Sequence, residues 1–505
     1  MNEMNDMAWL PLAALLVSLF AAITIFSLPE TARSARTVIN LAAAACKVAL
    51  VVLMVWRVSL GFEDTFSFQI IGGIDFVLRA DALGVMFAGL SSILWLCTTV
   101  YAIGYLEGAA NRKRFFGFFS LCVTSTLGIA LAGNLFTFLI FYEMLTLSTY
   151  PLVAHAGTPK ALAAGRVYLR YTLSAGVVVL LGVVLLYSLT GDQSFASEQG
   201  LDRYLGDHRG LLMLIFALLV GGLAVKAAIV PLHGWLPRAM VAPAPVSALL
   251  HAVAVVKAGA FGILRIIYDL YGIELSVELG VTTWLAALAA FTILYGSLRA
   301  ITQAELKPRL AFSTISQVSY IVLGACLVGP FGTIGALAHL LHQGLMKVTL
   351  FFCAGSYAEE LGIHRIDEMN GAGRRMPLTS IAFTLSALGM VGLPPTAGFI
   401  TKWYLGIGAI EAQMLWVVAV LVLSSVLNAL YFLPIIYRLW FCQGPAHGVG
   451  EWPSEQRLGR LETHGWLLWP AVFTATVSLL AGLLAGLPFS PLDWATRVAV
   501  GEYLP

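Results

Sequence analysis

Residues 214–237 read LIFALLVGGLAVKAAIVPLHGWLP, an apolar run with one lysine in its middle and two prolines near its end. A run of about 20 apolar residues is long enough to cross a bilayer as a helix. An ionisable side chain at that depth is costly, so Lys226 is a candidate functional residue. Pro231 and Pro237 lack a backbone N–H, and they predict that the helix is interrupted shortly after the lysine.

A second apolar span combines a break with a lysine in the same way. It covers residues 376–408, contains Pro394 and Pro395, and places Lys402 just after the break. Paired discontinuous helices in corresponding positions of two halves are typical of transporters built from inverted repeats. We therefore predict two inverted repeats of five spans, spans 4–8 and 9–13, with discontinuous helices 7 and 12. The alternative is that these prolines merely kink the helices, which membrane spans often tolerate.

The composition extends this pattern to the whole chain. Of 505 residues, 59% are apolar and only 11% are charged, whereas soluble domains have about 25% charged residues. The predicted fold class is an all-α polytopic membrane protein with about fourteen transmembrane helices. The net charge of +2 is uninformative, and the sequence shows no basic field that would bind nucleic acid. The predicted spans are residues 7–28, 37–58, 80–106, 115–133, 135–154, 162–189, 210–231, 244–270, 280–300, 308–329, 332–357, 376–408, 412–441 and 464–488.

The spans group into four segments. Residues 1–114 form an N-terminal three-helix segment, 115–270 the first repeat, 271–441 the second repeat, and 442–505 the last span with its tail. The segment from Gly61 to Leu78 alternates polar and apolar residues and predicts a short surface hairpin.

Loop charges predict the orientation in the membrane. Alternate loops are basic, with Arg33, Arg36, Arg112, Lys113, Arg114, Lys160, Arg238, Lys307, Arg309, Arg365, Arg374, Arg375, Arg457 and Arg460. The other loops carry Glu63, Asp64, Asp75, Asp192, Glu198, Asp202, Asp207, Asp269, Glu274 and Glu278. The basic set is expected in the cytoplasm, which places both termini on the opposite side of a bacterial inner membrane.

Further titratable side chains lie in other spans and predict a route for protons. Glu143 and Lys226 are expected to form a bistable pair if spans 5 and 7 touch, with Lys257 as the next acceptor. The second half supplies Lys347 and, at the far end, Lys402. The alternative is a set of scattered structural ion pairs between helices.

Four histidines lie near these lysines. His251 precedes Lys257 by six residues and either bridges the route or hydrogen-bonds in the core. His339 lies two turns before Lys347 on one helical face, and His342 lies on a neighbouring face. His233, just after the span 7 break, is expected to cap free carbonyls or gate the cytoplasmic entrance.

Several functions lack the motifs they require. The chain has no GxxxxGK[ST] loop for ATP and no CxxCH haem motif. Its six cysteines lie in apolar stretches without CxxC spacing, so no metal site, iron–sulfur cluster or disulfide framework is predicted. We expect no cofactor and no redox chemistry in this chain itself.

The chain resembles a known family. The stretch from Pro231 to Lys257, PLHGWLPRAMVAPAPVSALLHAVAVVK, is similar to the signature of the antiporter-like subunits of respiratory complex I, membrane-bound hydrogenases and Mrp-type cation/proton antiporters. The segments FYEML (141–145), LMKVTLFFCAG (345–355) and GLPPTAGFITK (392–402) extend the resemblance over nearly the whole chain.

The resemblance implies roles for four residues and a fourteen-helix, inverted-repeat fold. Glu143 and Lys226 match the family's glutamate–lysine pair, Lys257 its connecting lysine, and Lys402 the lysine of the second broken helix. Gln343 departs from the pattern, because relatives commonly have histidine there. The chain is most similar to the D-type Mrp subunit, since Lys402 and a length near 500 residues differ from particular complex I subunits.

The leading functional prediction is a proton-translocating subunit of a multisubunit Mrp-type Na⁺ or K⁺/proton antiporter, with other membrane subunits as partners. One alternative is a proton-pumping subunit of a complex I-like or hydrogenase assembly. Another is a membrane scaffold that transports nothing, and a third is a self-sufficient solute symporter.

Overall fold

The computed structural model describes residues 7–106, 108–195, 200–444 and 461–503, with the side chain of residue 71 left aside. Glu198, Arg457 and Arg460, which belong to the predicted loop charges, lie outside these ranges. The described part is dominated by helices, as the composition predicts. In chain order the elements are α1 Leu10–Ser27, α2 Arg33–Ser59, β1 Asp64–Ile71, β2 Ile74–Ala80, α3 Ala82–Tyr105, α4 Arg112–Ala130, α5 Leu135–Val153, α6 Pro159–Thr190, α7 Leu205–Lys226, α8 Trp235–Arg238, α9 Ala244–Ala252, α10 Val255–Arg265, α11 Ile273–Glu278, α12 Val281–Ile301, α13 Leu306–Ala325, α14 Pro330–Leu361, α15 Ala372–Arg375, α16 Pro377–Val391, α17 Ala397–Glu411, α18 Leu415–Phe441, α19 Gly465–Leu483 and α20 Pro491–Tyr503.

The membrane character of the chain is clear from these helices. Within the described ranges, eleven helical segments are long and apolar enough to cross a bilayer. The other three predicted spans are also helical, as α4, α13 and the α16–α17 pair. The polytopic α-helical fold is therefore confirmed, whereas the count of fourteen spans and the repeat boundaries stay predictions.

The two predicted breaks are present. The helix of span 7 ends at Lys226, five residues before Pro231, and Ala228 in the break has a left-handed φ of 56°. Span 12 is divided into α16 and α17 by residues 392–396. Gly392 ends α16 with a φ of 89°, a conformation that glycine adopts without steric cost.

A third break was not predicted. Residues 244–270 were expected to form one continuous span, but α9 ends at Ala252, α10 begins at Val255, and a π-helix follows over Ile266–Leu270. Neither glycine nor proline occupies the break, so the usual sequence signal for an interruption is missing there.

The predicted hairpin is also present. Strands β1 and β2 pair in antiparallel register from Asp64 opposite Ala80, and residues 72–73 form the turn. Buried Arg57, at the end of α2, donates to both carboxylate oxygens of Asp64 at 2.6 and 2.7 Å and so fixes the start of the hairpin.

The chain divides into two compact units. The first contains Met1–Leu96, Ala110–Trp235 and Val253–Ala287, and the second contains Cys97–Ala109, Leu236–Ala252 and Leu288–Pro505. In the first unit, α4 packs on α1 and α5, and α7 packs on α6 and α10. In the second, α14 packs on α9, α13, α16, α17, α19 and α20, and its apolar window is completely buried.

Candidate functional site

Lys226 lies at the centre of the first unit. It is the last helical residue of α7 and is completely buried. Its ammonium donates a hydrogen bond to the carbonyl oxygen of Tyr142 on α5 and lies 3.3 Å from the centroid of the Tyr142 ring. The ring and carbonyl thus replace part of the hydration that the ammonium loses on burial.

Glu143, the next residue on α5, is directed toward α6. A Cβ atom on Gly176 of α6 would lie 1.8 Å from Glu143 Oε1, so the carboxylate occupies space that only glycine leaves open. Glu143 Oε1 has no hydrogen-bond partner among the described residues. The Lys226 ammonium contacts the carbonyl oxygen of Tyr142, so spans 5 and 7 touch next to Glu143, whereas direct pairing of the Glu143 carboxylate with the ammonium stays a prediction. That the pair switches between two states stays a prediction.

An open groove runs beside this pair. Its volume is about 410 Å³, and it is lined by α6, α7 and the residues after the break, including Arg170, Tyr171, Gly222 and Val225. Val225 and Gly222 belong to the same helix turn as Lys226. The groove therefore lies along the last turns of the helix that carries Lys226, and Arg170 places a basic side chain at its wall.

Lys257 lies in the same unit, on α10, and is completely buried. Two residues later, a Cβ on Gly259 would lie 2.3 Å from the backbone nitrogen of Ala227. The absence of a side chain at Gly259 lets α10 pack directly on the end of α7. This packing holds the helix that carries Lys257 against the break that follows Lys226.

In the second unit, a continuous hydrogen-bonded chain leads away from Lys347. The buried Lys347 ammonium donates to Ser313 Oγ at 2.7 Å and to the carbonyl oxygen of Leu310 at 3.3 Å. Ser313 Oγ is 2.8 Å from Tyr431 Oη, which donates to Asn428 Oδ1 at 2.8 Å. Since the tyrosine proton is directed to Asn428, the Ser313 hydroxyl donates to Tyr431, and all donors point from Lys347 toward Asn428.

The same chain ends at Lys402. Asn428 Nδ2 donates to the carbonyl oxygen of Met390 at 3.1 Å. The Lys402 ammonium donates to that carbonyl at 3.3 Å, to the carbonyl of Val391 at 2.8 Å and to Ser425 Oγ at 2.9 Å. The carbonyl oxygens of Met390 and Val391 are left without helical partners by the break after α16, so the break itself supplies acceptors for the lysine.

The histidines of the second unit occupy different surroundings. His339 bridges α13 and α17, with Nε2 3.1 Å from the carbonyl oxygen of Gln317 and Nδ1 3.1 Å from Thr401 Oγ1. His251 stacks on Phe351 with ring centroids 4.6 Å apart, and its ring nitrogens lack hydrogen-bond partners among the described residues. Buried polar atoms of this kind are normally satisfied by ordered water.

The remaining predicted positions lie on α14 and in the breaks. His342 and Gln343 are buried on α14, and neither end of the Gln343 amide has a hydrogen-bond partner in the described part of the chain. His233 is partly exposed in the turn after α7, next to exposed Pro231, and Pro237 lies in α8. Pro394 and Pro395 are exposed between α16 and α17.

Sequence reasoning missed the connection between Lys347 and Lys402. The predicted route used histidines and water, whereas Ser313, Tyr431 and Asn428 join the two lysines directly. A serine, a tyrosine and an asparagine are common packing residues in membrane helices, and their positions relative to the lysines depend on how α13 and α18 pack. Within the described ranges, no group of three or more His, Cys, Asp and Glu side chains is arranged to hold a metal ion.

Comparison with known proteins places this arrangement in a family. The family model described as NADH:quinone oxidoreductase/Mrp antiporter, transmembrane, matches residues 132–428. The NADH-quinone oxidoreductase subunit N of Desulforudis audaxviator is 38% identical over 419 residues, which cover 81% of this chain and 82% of that protein. Hydrogenase-4 component B of Escherichia coli is 30% identical over 78% of this chain and 60% of its own length. The putative antiporter subunit mnhA2 of Staphylococcus aureus is 32% identical over 65% of this chain and 42% of its own length.

Solved structures share the fold. A chain of the Mrp complex from Dietzia sp. DQ12-45-1b superposes with a TM-score of 0.84 at 25% identity, covering 99% of this chain and 98% of that chain. A chain of an archaeal membrane-bound sulfane sulfur reductase superposes with a TM-score of 0.83 at 24% identity. The chain therefore belongs to the NADH:quinone oxidoreductase/Mrp antiporter family, as an antiporter-like membrane subunit of Mrp or complex I-like assemblies.

Proposed function

We propose that this subunit translocates protons through its two polar clusters. The observation that carries the proposal is the hydrogen-bonded chain that ties the Lys347 and Lys402 ammonium groups together through Ser313, Tyr431, Asn428 and the Met390 carbonyl. The hydroxyls of Ser313 and Tyr431 can each accept a proton on one side and donate one on the other, so they carry a proton away from Lys347. The Asn428 amide and the Met390 carbonyl take up no proton near neutral pH; they fix the positions of Tyr431 and Lys402, and water carries the proton between those two side chains.

In the first unit, Glu143 and Lys226 supply the coupled charges. When the carboxylate takes up a proton or moves, the ammonium loses its nearest negative charge and its proton becomes easier to release. Lys257 on α10 is the next acceptor, and His251, His339 and His342 are auxiliary groups that order water along the route.

The experiment removes one hydroxyl from the chain. Tyr431→Phe keeps the ring of Tyr431 but breaks the link between Ser313 and Asn428. We expect the rate of proton uptake into proteoliposomes containing the purified complex to fall by about tenfold or more. Tyr437→Phe is the matched control, because Tyr437 lies on the same helix and is 60% exposed. Wild-type transport by Tyr431→Phe would contradict the proposal.

We further propose that the assembly is a bacterial inner-membrane Mrp-type antiporter that exchanges Na⁺ or K⁺ for protons through partner subunits. The similarity to the Dietzia Mrp chain over nearly the full length of both chains supports this reading. The second candidate is a complex I-like proton pump, and the 38% identity to a subunit N favours it. A scaffold without transport predicts that Lys226→Ala leaves ion transport unchanged.

Copurification separates the two assemblies. The complex is purified from native membranes by a tag on this chain, and the bound subunits are identified by mass spectrometry. Small antiporter subunits, together with proton efflux on addition of Na⁺ or K⁺, are expected for the Mrp reading. If iron–sulfur and quinone-reducing subunits copurify and proton transport depends on NADH, the assembly is a complex I-like pump and the Mrp proposal is wrong.

A further inference from the structure

The buried face of α2 is basic. Its buried residues are Arg36, Asn40, Ala44, Lys47, Val51, Met54 and Arg57, which recur every three or four residues along one side of the helix. The opposite side is apolar and exposed, with Val38, Val52 and Trp56 more than half exposed. A membrane helix that directs its charges inward lines a polar interior.

Lys47 lies in the middle of this face and is completely buried. Its ammonium donates to Ser18 Oγ on α1 and lies 4.9 Å from the centroid of the Trp95 ring on α3. In the part of the chain that the structure describes, no carboxylate neutralises this charge. An ammonium buried without a counter-ion is expensive, and a methionine of similar length would fill the same space at lower cost.

Small polar side chains lie on both sides of α4, between Lys47 and Lys226. Ser18 Oγ lies 2.8 Å from Thr124 Oγ1 on the α1 side of α4. Cys122, two residues earlier, lies with its sulfur 3.3 Å from Ser148 Oγ and 3.4 Å from Thr149 Oγ1 of α5. Small polar side chains therefore surround the middle of α4 on both sides.

The two ends of α2 differ in their access to Lys47. Toward the start of the helix, Asn40 Nδ2 donates to the carbonyl oxygen of Arg36 at 2.9 Å, and Asn40 Oδ1 has no hydrogen-bond partner in the described residues. Asn40 precedes Lys47 by two helical turns, about 10 Å along the axis. Toward the end of the helix, Val51 and Met54 fill the interior. On this face of α2, the polar side chain nearest to Lys47 along the helix is therefore Asn40, on the Arg36 side.

We propose that Lys47 is a further proton-binding residue, which exchanges protons with the Lys226 centre across α4 and is reached from the Arg36 end of α2. The Lys47 ammonium gives one N–H proton to Ser18 Oγ, Ser18 passes its hydroxyl proton to Thr124 Oγ1, and the proton that Thr124 releases is taken up through water by the Glu143 carboxylate beyond α4. The neutral amine then takes up a proton from the Arg36 end. Lys47, Ser18 and Thr124 all precede the region that the family model matches. The inference rests on the proposed function.

The test uses the assembled complex in proteoliposomes and the same proton-uptake assay. Lys47→Met is expected to reduce the rate about tenfold while partner subunits still copurify. Lys47→Arg is expected to stay equally slow, because a guanidinium keeps its proton at any accessible pH. If the Lys47 charge had only a structural role, the arginine would supply the same charge and the proton-uptake rate would stay at the wild-type value. The control is Lys160→Met, which changes an exposed lysine in the first turn of α6.

The outcomes separate this inference from the function on which it rests. Wild-type rates in Lys47→Met or Lys47→Arg, with Lys226→Ala inactive, overturn the role of Lys47 alone. A wild-type rate in Lys226→Ala overturns the proposed function. If Lys47→Met does not assemble, Ser18→Ala replaces it, since it removes one hydroxyl and leaves Lys47 in place. We then expect a rate about threefold lower, and an unchanged rate refutes the inference.

Discussion

Single glycines decide whether the charged side chains fit. Gly176 leaves room for the Glu143 carboxylate, and Gly392 leaves room for the Lys402 stem, whose Cδ would lie 2.7 Å from a Cβ at that position. Both contacts involve groups that the sequence singles out as titratable. The glycines themselves carried no such signal, because glycine is frequent throughout membrane helices.

Gly176→Ala is expected to displace the Glu143 carboxylate. Overpacking of this kind costs about 1–3 kcal/mol and is relieved here by rotating the glutamate away from α6. We expect proton uptake to fall about tenfold, measured on complex with a normal subunit content. Gly221→Ala is the control, because a Cβ there meets no atom within 4 Å. Equal rates in the two variants would show that the position of Glu143 is unimportant.

Gly392→Ala is expected to push the Lys402 stem away from its carbonyl acceptors and to slow transport. The substitution also strains the backbone, since φ is 89° at this position. Gly362→Ala is the control for backbone strain alone. Gly362 follows α14 with a φ of 66°, and a Cβ at this position meets no atom within 4 Å. Transport loss in Gly392→Ala alone supports the displacement of Lys402, whereas loss in both variants points to the backbone.

The sequence identified site residues that are costly to bury, but it did not identify residues that matter only through their contacts. Each buried lysine that the sequence marked as costly is found inside the protein. Ser313, Tyr431 and Asn428 were not marked, because hydroxyls and amides cost little in a membrane helix and become significant only through their neighbours. Lys47 was overlooked although its chemistry is the same as that of Lys226.

At the scale of elements, buried ion pairs around Arg265 hold two helix ends in place. Arg265, the last residue of α10, donates to Asp81 Oδ1 and to Asp269 Oδ2, both at 2.7 Å. Asp81 also accepts from the backbone N–H of Gly84 at 2.7 Å and so caps α3. One guanidinium therefore joins the start of α3 to the end of α10.

Arg265→Ala leaves Asp269 without its ion-pair partner and leaves Asp81 with only the longer pair to Arg79, at 3.3 Å. Breaking a buried pair in this way costs about 3–5 kcal/mol, whereas an exposed pair contributes about 0–1 kcal/mol. We expect a large fall in the thermal unfolding temperature of the detergent-solubilised complex. Arg497→Ala removes an exposed pair with Asp493 and is expected to change that temperature little. Similar shifts in the two variants would refute the stabilising role of Arg265.

Helix breaks were predictable where proline and glycine mark them. The interruptions after α7 and α16 follow from Pro231, Pro237, Pro394 and Pro395. The break between α9 and α10 lies among alanines and valines, and its cause is tertiary. The prolines did not predict where α7 ends. The helix ends at Lys226, and Ala228 already has a left-handed conformation, before the chain reaches Pro231.

At the scale of the whole molecule, the composition predicted a polytopic helical membrane protein, and the motifs predicted its family. The assembly was harder to predict. Whether this chain joins an Mrp or a complex I-like complex depends on the surfaces that touch other subunits. Those surfaces are as apolar as surfaces that face lipid, so hydropathy does not distinguish them.

The complete enclosure of α14 has a consequence for the dynamics of the protein. This helix has no lipid-facing or water-facing side over its apolar window, whereas only 28% of the α2 window is buried. Amide hydrogens of α14 can exchange with deuterium only when its neighbours separate. We expect peptides from the middle of α14, and from the equally buried span of α9 and α10, to take up deuterium slowest among the spans, and those from α2 much faster. Early labelling of α14 would mean that Lys347 sits in a part of the protein that opens routinely.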